Sequence, residues 1–454
     1  MRSARRRPRR FPGTGLPGTR VPAGPPPTDH YGVAMTDAAR PVLAGLGAIR
    51  AELEDLYKDL HRHPELGLRE HRTAGKAAEA LRAAGYQVTE GVGGTGVVAV
   101  LANGDGPVVM ARADMDALPV REATGLPYAS TATTTGDDGT EQPVMHACGH
   151  DMHVTCLVGC ARLLAGAKDA WRGTFVALFQ PSEEKGDGAD AMVDDGLTSR
   201  APAPDAVLAQ HVLPLPAGYV GTRSGPFLSA ADSLRVTVHG RGAHGSSPQN
   251  AVDPVVMAAM IVVRLQTVVA RELAATTPAV VTVGSIHAGS SPNVIPDSAV
   301  LQLNVRTYDD ATRSQVLHAV ERIVRAECQA SGAPEEPEFE RVATFPPTVN
   351  DDATTRRVAE AFAAHFGDDA HTVPLHTASE DMSKIPRAFG APFTYWAIGG
   401  IDPDRYAEAV AAGTVDQDIP VNHSPFFAPV VQPTLDTGVS ALAVAALAWL
   451  GLGH

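Results

Sequence analysis

Apolar positions recur at helical spacing soon after residue 45. They fall three or four residues apart at Leu46, Ile49, Leu53, Leu56 and Leu60. Side chains at this spacing share one face of a helix, so the pattern predicts an amphipathic helix here. The following segment TAGKAAEALRAAG predicts a second helix that ends at Gly85.

Four short apolar runs follow in turn-rich surroundings: GVVAVL, PVVMARAD, TFVALFQ and AVLAQHV. Such runs are typical of strands buried on both faces, and the helical segments between them indicate an α/β domain with a largely parallel sheet. The last three runs end in metal-competent residues, namely Asp114, then Glu183 with Glu184, then His211. Because open α/β sheets bind ligands at the carboxyl ends of their strands, we expect these residues to meet in one crevice.

The pattern changes near residue 223. SLRVTVHG and AVLQLNVRT alternate apolar and polar residues, as half-exposed strands do. The order strand, helix, strand, strand, helix, strand indicates a ferredoxin-like α+β unit. Parallel-sheet character returns near residue 344. We therefore predict a catalytic domain in two parts, 41–222 and 344–454, with a small domain, 223–343, inserted between them.

Charge and cysteine content narrow the functional classes. The formal charge is −14, and residues 1–34 hold seven arginines and one aspartate, so the rest of the chain carries −20. A body this acidic repels phosphate backbones, which argues against nucleic acid as a partner. Four cysteines in 454 residues do not make a disulfide framework, so we expect a reducing, cytoplasmic setting.

The two ends of the chain need separate interpretation. Residues 1–40 are basic and rich in Pro and Gly, which predicts a disordered tail, and Met35 is a candidate start of translation. The paired arginines are not followed by the apolar run of an export signal. The C-terminal GVSALAVAALAWLGL is apolar for fifteen residues, too short to span a bilayer, and predicts a buried helix. We expect no membrane partner.

The nonapeptide MHACGHDMH, residues 145–153, holds five side chains able to bind metal. Cys148 and His150 are separated by a glycine, and thiolate with imidazole suits zinc, manganese, cobalt or nickel. Asp151 is placed to begin a helix whose later cysteines face the core. Within that helix His153 is interpreted as a packing or supporting residue. For His146, spacing leaves ligand and bystander both open.

The adjacent acids Glu183 and Glu184 follow a predicted buried strand. Neighbouring side chains on an extended backbone point in opposite directions, so one can bind an ion while the other accepts a proton. An exposed acidic turn is the alternative. His211, and His423 in VNHSPFFAP, are each more often structural when taken alone, but together with Cys148 and His150 they favour a metal site.

Eleven motifs taken together resemble those of the M20 metallopeptidase-like amidohydrolases, from about residue 43 to the C-terminus. In chain order they are HRHPELGLRE, ARADMDALPV, TGLPYAS, HACGHDMH, FQPSEEKGDGA, AQHV, GRGAHGSSPQNAVDP, SPNVIPDSA, NVRTYD, SEDMS and NHSPFF. The chain is most similar to the branch with hippurate, auxin-conjugate and N-acyl-amino-acid hydrolases.

This resemblance implies two divalent metal ions per subunit, with zinc or manganese expected and cobalt or nickel possible. It implies a bridging ligand, a ligand pair for each ion, a general base and a carboxylate that orients a ligand histidine. In that order these are Cys148; His150 with His211; Glu184 with His423; Glu183; and Asp114.

The resemblance also implies a homodimer formed through residues 223–343, in which His244 reaches the partner's active site and stabilises the oxyanion. Asn293 and Arg306 are implied to recognise the substrate's carboxylate, with pairing within the sheet as the alternative for Arg306. Gly400 is a candidate substrate-binding residue because glycine lets backbone approach a ligand, and a simple turn is the alternative. Ser379 is interpreted as a helix cap. The implied reaction is hydrolysis of the amide bond of N-acyl amino acids, giving a carboxylic acid and a free amino acid. A dipeptidase or carboxypeptidase with the same site is the main alternative. A non-catalytic metal-dependent binding protein is the other.

Overall fold

The computed structural model describes residues 39–136 and 139–451. The predicted start at Met35 and nearly all of the predicted tail lie outside these residues. Ala39 and Val42 already belong to the large hydrophobic core. The fold described below therefore begins at the last residues of the segment predicted as a tail.

The strands and helices alternate through most of the chain. In chain order the strands are β1 Gln87–Val92, β2 Gly96–Asn103, β3 Val108–Asp114, β4 Thr133–Thr135, β5 Glu141–Pro143, β6 Gly173–Gln180, β7 Ala206–Pro216, β8 Val220–Thr222, β9 Gly225–Leu228, β10 Ala230–His239, β11 Ala243–His244, β12 Val280–Ala288, β13 Val294–Ile295, β14 Ser298–Thr307, β15 Glu338–Phe345, β16 Thr348–Asn350, β17 Ala370–Thr372 and β18 Phe393–Ile401. The α-helices are α1 Leu46–Arg62, α2 His71–Ala83, α3 His150–Gly166, α4 Gly188–Asp194, α5 Leu197–Arg200, α6 Pro254–Thr267, α7 Asp310–Ala330, α8 Asp352–Phe366, α9 Lys384–Phe389, α10 Pro403–Ala412, α11 Val415–Asp418 and α12 Thr434–Leu450.

The large sheet has eight strands in the order β1-β2-β6-β3-β7-β18-β8-β17. Its centre, β6-β3-β7-β18, is parallel, whereas β2 runs antiparallel to β6 and β8 antiparallel to β18. One hydrophobic core packs helices α1, α3, α8 and α12 against one face, and a second core includes α4 and α9 on the other. The predicted α/β class with a mixed, mostly parallel sheet is confirmed.

Helices α3 and α12 lie between α1 and the sheet. Both are apolar around most of their circumference, as expected for helices without a solvent-facing side. The C-terminal apolar run is a buried helix, as predicted. Gly159 permits the close approach, because a Cβ added there would lie 2.7 Å from Val439 Cγ2 and 2.8 Å from Leu53 Cδ1.

The small domain has a four-stranded antiparallel sheet in the order β12-β14-β10-β15. With α6 and α7 this is the predicted ferredoxin-like arrangement. The helical segment Pro254–Glu272 is long and apolar enough to cross a bilayer. Its residues Met257, Ile261 and Leu265 are, however, fully buried in the core of the small domain. It is therefore the core helix of a folded domain.

The strand ends meet at one edge of the large sheet, but not every predicted end is correct. β3 ends at Asp114, and β6 ends three residues before Glu183. His211 lies within β7, which continues to Pro216, so its prediction as a strand end is wrong. β7 pairs with β3 only as far as Ala209 and continues beside β18. His211 lies two residues beyond the last pair, level with Asp114 at the end of β3, and therefore reaches the crevice.

We predict that Gly159→Ala lowers the free energy of unfolding by about 1–3 kcal/mol, because overpacking between α3, α1 and α12 outweighs the gain in helix propensity. Urea unfolding followed by circular dichroism measures this. Gly75→Ala in α2 is the control, since a Cβ there meets nothing within 4 Å. It should stabilise the protein by up to about 1 kcal/mol. A Gly159→Ala protein as stable as wild type contradicts the close packing.

Candidate metal centre

Side chains from five parts of the chain form overlapping groups able to hold metal ions. Within each group, one ligand atom per residue lies within 4.8 Å of the others. The groups at the crevice are Asp114, His150, His153 and His211; Cys148, Glu184 and His423; and His150, Glu183 and Glu184. Because His150 and Glu184 each belong to two groups, these residues form one continuous site. All five predicted ligands are brought together there.

Gly149 sets the direction of the Cys148–His150 turn. Its φ of +83° lies in the left-handed region, where glycine carries no steric cost. An added Cβ would lie 2.4 Å from Val212 Cγ1, so the position has no room for a side chain. The turn places His150 at the first residue of α3 and Cys148 two residues earlier. Both side chains therefore face the site from a fixed backbone.

Two further segments of the site have left-handed backbone at residues other than glycine. Ser182 (φ +48°) precedes the two glutamates, and His423 (φ +70°) is itself a predicted ligand. Such residues cost of order 1–3 kcal/mol and persist only where the surroundings hold them. The Ser182 amide donates to Glu70 Oε1 (2.8 Å), and the His423 amide donates to the Ala147 carbonyl (2.8 Å). Strained backbone thus lies in the segments that direct the glutamates and His423 towards the site.

Asp116 is the carboxylate that orients His150. Its Oδ1 lies 3.2 Å from His150 Nδ1, and its Oδ2 accepts a hydrogen bond from the Glu184 amide (3.0 Å). Burial lowers the pKa of His150, but Asp114 and Asp116 together raise it to about 10, so the metal-free imidazole carries a second proton. With Nδ1–H donated to Asp116, Nε2 is the nitrogen that would give up its proton to bind a metal. We expected this part from Asp114, whereas the structure gives it to the second acid of RADMD. Asp114 instead lies 2.5 Å from His153 Nδ1.

The two other histidines of the nonapeptide are not positioned as ligands. His153 Nε2 accepts a hydrogen bond from the Val212 amide (2.9 Å), so with Asp114 at Nδ1 both of its nitrogens are occupied. It therefore supports Asp114 from behind, in keeping with the supporting part predicted for it. His146 is buried, and burial lowers its pKa to about 4. Among the described residues neither of its nitrogens has a hydrogen-bond partner.

His211 and Cys148 face each other across the site. His211 Nδ1 lies 2.8 Å from the Val212 carbonyl oxygen, which leaves Nε2 aimed at Cys148 Sγ, 3.5 Å away. Burial lowers the pKa of His211 well below its ordinary value, so the imidazole is neutral, as a ligand must be. Burial raises the pKa of the Cys148 thiol, and the charges of Glu184 and Glu183 raise it further. A thiolate there requires a cation.

Two buried atoms give the clearest evidence that the residues fit a metal. His150 Nε2 and Glu184 Oε1 are buried without a hydrogen-bond partner among the described residues. They lie 3.9 Å apart, and Glu184 Oε1 lies 3.2 Å from His423 Nε2. Buried polar atoms in native proteins are nearly always satisfied. A thiolate, imidazoles and a carboxylate around such atoms are the donor set expected for zinc and its neighbours in the first transition row.

Arg112 neutralises part of the acid behind Glu183. Glu183 lies in a further group with Glu380 and Asp381. Burial raises its pKa well above the ordinary value, and the charge of Glu380 adds to this. Arg112, fully buried, donates to Glu380 Oε1 (2.8 Å) and Asp114 Oδ2 (2.7 Å). Sequence reasoning missed Arg112, although a basic residue inside the apolar run VVMARAD was a signal.

A cavity of about 290 Å³ opens beside Glu183 and between the two domains. One wall includes Cys148, Glu184, His211, Phe227, His376 and Tyr395, and the wall formed by strands β10, β14 and β15 includes Ser233, Asn304, Arg306 and Phe345. Arg306 donates to Asn304 Oδ1 (2.8 Å) and Ser379 Oγ (2.6 Å). Ser379 was predicted to cap a helix. That prediction is wrong, because the next helix begins at Lys384.

Three predicted residues occupy other positions. His244 and Asn293 are exposed neighbours on the small domain, joined through the Gly245 amide and the Asn293 carbonyl (2.7 Å). Neither is among the residues of this chain that line the cavity. Gly400 lies inside the buried strand β18, where an added Cβ would lie 2.5 Å from Val212 Cγ2. The glycine there is explained by packing, not by an approach to substrate.

Several known proteins are similar to this chain over most of its length. The model of "Peptidase family M20/M25/M40" matches residues 110–422. The chain belongs to the M20 peptidase family. An N-acetyl-L-cysteine deacetylase of Bacillus subtilis is 34% identical over 420 residues, covering 89% of this chain and 93% of the relative. A hippurate hydrolase of Campylobacter jejuni is 36% identical over 354 residues, 75% of this chain and 88% of the relative.

Another M20 relative has a different named activity. Thermostable carboxypeptidase 1 of Saccharolobus solfataricus is 34% identical over 380 residues, covering 81% of this chain and 92% of the relative. Among solved structures, the Bacillus subtilis YXEP protein, described as a dinuclear metal binding peptidase of the family, is similar with a TM-score of 0.70 and 28% identity. The similarity covers 88% of this chain and 98% of that one. The chain itself is therefore a metal-dependent amidohydrolase of the M20 family.

We predict that Asp116→Asn lowers metal affinity about 10- to 100-fold, because one amide oxygen cannot replace two carboxylate oxygens bonded to His150 and the Glu184 amide. Competition with a chelator, followed by metal analysis of the protein, measures this. The control is Asp105→Asn, at an exposed position before β3. Wild-type affinity in the Asp116 variant contradicts the orienting part assigned to this carboxylate.

Proposed function

We propose that this M20 amidohydrolase cleaves the amide bond of N-acyl amino acids, with acetyl or aroyl acyl groups, and releases a carboxylic acid and a free amino acid. The observation that carries the proposal is a buried carboxylate, Glu183, beside the ligand groups and at the wall of a cavity that also contains a guanidinium, Arg306. Relatives named as a deacetylase and a hippurate hydrolase support the same reaction class.

The ligand assignment in the proposal follows the geometry. Cys148 would be the bridging ligand, which its closeness to both His211 and Glu184 supports. His150 and His211 complete one ion's ligands, and Glu184 and His423 the other's. Zinc or manganese suits these donors, and cobalt or nickel is the further possibility. When bound, the ions supply Lewis acidity, which activates water and polarises the scissile carbonyl.

Glu183 acts as the general base and then as the general acid. It accepts a proton from the attacking water and delivers that proton to the leaving nitrogen. Its position suits both steps, since Oε2 lies 4.0 Å from His150 Nε2 and its side chain also faces the cavity. Burial raises the pKa of Glu183, which favours the carboxyl form that carries this proton from the water to the nitrogen before the C–N bond breaks.

Arg306 is the proposed partner of the substrate's carboxylate. A guanidinium is suited to paired hydrogen bonds with a carboxylate. Asn304 and Ser379 hold its Nε and Nη1 at the cavity wall. Asn293 is the second candidate for binding the substrate's carboxylate. It does not line the cavity formed by a single chain. The cavity walls also include apolar residues such as Phe227 and Phe345. These offer apolar contacts for the acyl group or the amino-acid side chain of the substrate.

A homodimer formed through residues 223–343 is part of the proposal. Helix α6 exposes Val256, Met260 and Val263, which are 59%, 49% and 65% exposed. The adjacent strand β12 is an unpaired edge of its sheet, and its Ile286 is also exposed. An apolar face beside an open edge favours a second copy related by two-fold symmetry. Such a dimer gives His244 a route to the partner's cavity, where it stabilises the oxyanion.

A reducing, cytoplasmic compartment also fits the cysteines. All four are unpaired and buried. Burial raises the thiol pKa of Cys156 and Cys160 strongly, so both remain protonated and behave as core residues. Cys148 is the exception, because it faces the candidate ligands. A free thiol at a metal site is best preserved where disulfide formation is disfavoured.

We predict that Glu183→Gln lowers kcat/KM about 10²- to 10⁴-fold with metal content unchanged, because the amide cannot accept the water's proton. The measurement is amino-acid release from hippurate, N-acetyl amino acids and dipeptides, with metal per chain determined in parallel. Lys185→Gln at the exposed neighbouring position is the control. Wild type that prefers dipeptides favours the dipeptidase or carboxypeptidase reading. Wild type with two ions and no turnover on any substrate favours a binding protein.

We predict that mixing Glu183→Gln and His244→Ala subunits restores activity that neither variant has alone. If His244 acts across the dimer, half of the randomly formed dimers are mixed and each contains one complete site, so about one quarter of wild-type activity returns. The matched control mixes Glu183→Gln with Glu184→Gln, where no site is complete. Equal activity in the two mixtures shows that His244 acts within its own chain. Wild-type activity of His244→Ala alone shows that His244 takes no part in the reaction.

A further inference from the structure

A buried ion-pair triad lies beside the metal centre and is not used by the proposed reaction. His61 Nδ1 lies 2.6 Å from Asp151 Oδ2, and its Nε2 lies 3.2 Å from Glu122 Oε1. All three side chains are fully buried. Because each ring nitrogen faces a carboxylate, both carry a proton and His61 is a cation.

Three separate segments meet at this triad. His61 belongs to the last turn of α1, Glu122 to the loop after β3, and Asp151 to the first turn of α3. Glu122 is held in turn by the Ser130 amide, which donates to its Oε2 (2.5 Å). The rings of Tyr57 and Tyr128 lie 5.8 and 5.5 Å from the His61 ring. The triad is therefore enclosed by aromatic side chains as well as by its own ion pairs.

Asp151 connects the triad to the metal centre. It directly follows His150, and its Oδ1 accepts a hydrogen bond from the Met152 amide (2.9 Å). The side chain thus fixes the backbone of the first turn of α3 to α1 through His61. Without the imidazolium, two buried carboxylates would face each other unpaired, and the repulsion would displace the more mobile chain segment.

We propose that His61 is a positioning residue for the metal centre: through Asp151 it holds the Cys148–His150 turn in the geometry that binds the ions. This inference rests on the proposed function, because it takes Cys148 and His150 as ligands. His61 acts from behind the site and touches neither ligand. Its effect should therefore appear in metal affinity and in ligand geometry, not only in stability.

The test uses His61→Gln, Asp151→Asn and the double variant, with His63→Gln as the matched control. His63 lies two residues from His61 and its side chain is 46% exposed. Each protein is loaded with cobalt(II), whose affinity is measured by chelator competition and whose absorption spectrum reports the ligand geometry, including the band from the Cys148 thiolate. Folding is checked by near-ultraviolet circular dichroism.

We expect His61→Gln and Asp151→Asn each to weaken cobalt affinity about 10- to 100-fold and to alter the spectrum, with His63→Gln unchanged. The double variant should bind cobalt no more weakly than the single variant with the lower affinity, because both changes break the same connection. Additive losses, or wild-type affinity and spectrum in His61→Gln, overturn the inference. If His61→Gln does not fold, Asp151→Asn alone decides, since it keeps the side-chain shape. Wild type that binds no cobalt overturns the proposed function as well.

Discussion

The structure depends on the neutralisation of the negative charge that is buried at the carboxyl edge of the central sheet. Asp114, Asp116, Glu183, Glu380 and Asp381 are all buried there, with Glu184 partly so. Unpaired buried carboxylates cost several kcal/mol each. Arg112 offsets part of that charge from below, through Glu380 and Asp114. The remainder faces His150 and His423, where bound metal ions would complete the balance. The acid cluster is thus a reason for the metal and not only a source of ligands.

The central sheet supplies the geometry for this arrangement. Four parallel strands end at the same edge, so residues far apart in sequence meet without a long loop. Helix α3 begins at His150, two residues after Cys148, so its positive dipole end lies at the Cys148–His150 turn. Two other loops bring in the remaining candidate ligands, and each loop has one strained residue, Ser182 before the two glutamates and His423 itself. A rigid edge and a few strained positions together hold ligands more precisely than loops alone.

The division into two domains separates two parts of recognition. The catalytic domain contributes the candidate ligands and Glu183 to the cavity, whereas the small domain contributes Arg306 from the interior strand β14. Arg306 bonds to Ser379 of the catalytic domain, so the two walls of the cavity are already linked. The proposed dimer would add a third contributor, His244.

The amino-acid sequence by itself determined the elements, the ferredoxin-like insert and the ligand motifs, because burial periodicity and short motifs are local properties of the chain. It did not choose between Asp114 and Asp116, which lie two residues apart and reach the same side of an extended chain. Only the packing of β3 against α3 decided that Asp116 meets His150 and Asp114 meets His153. The same holds for Gly400, which packs on Val212, and for Ser379, which meets Arg306 across 73 residues. These contacts join distant segments, so their partners are fixed by tertiary structure alone.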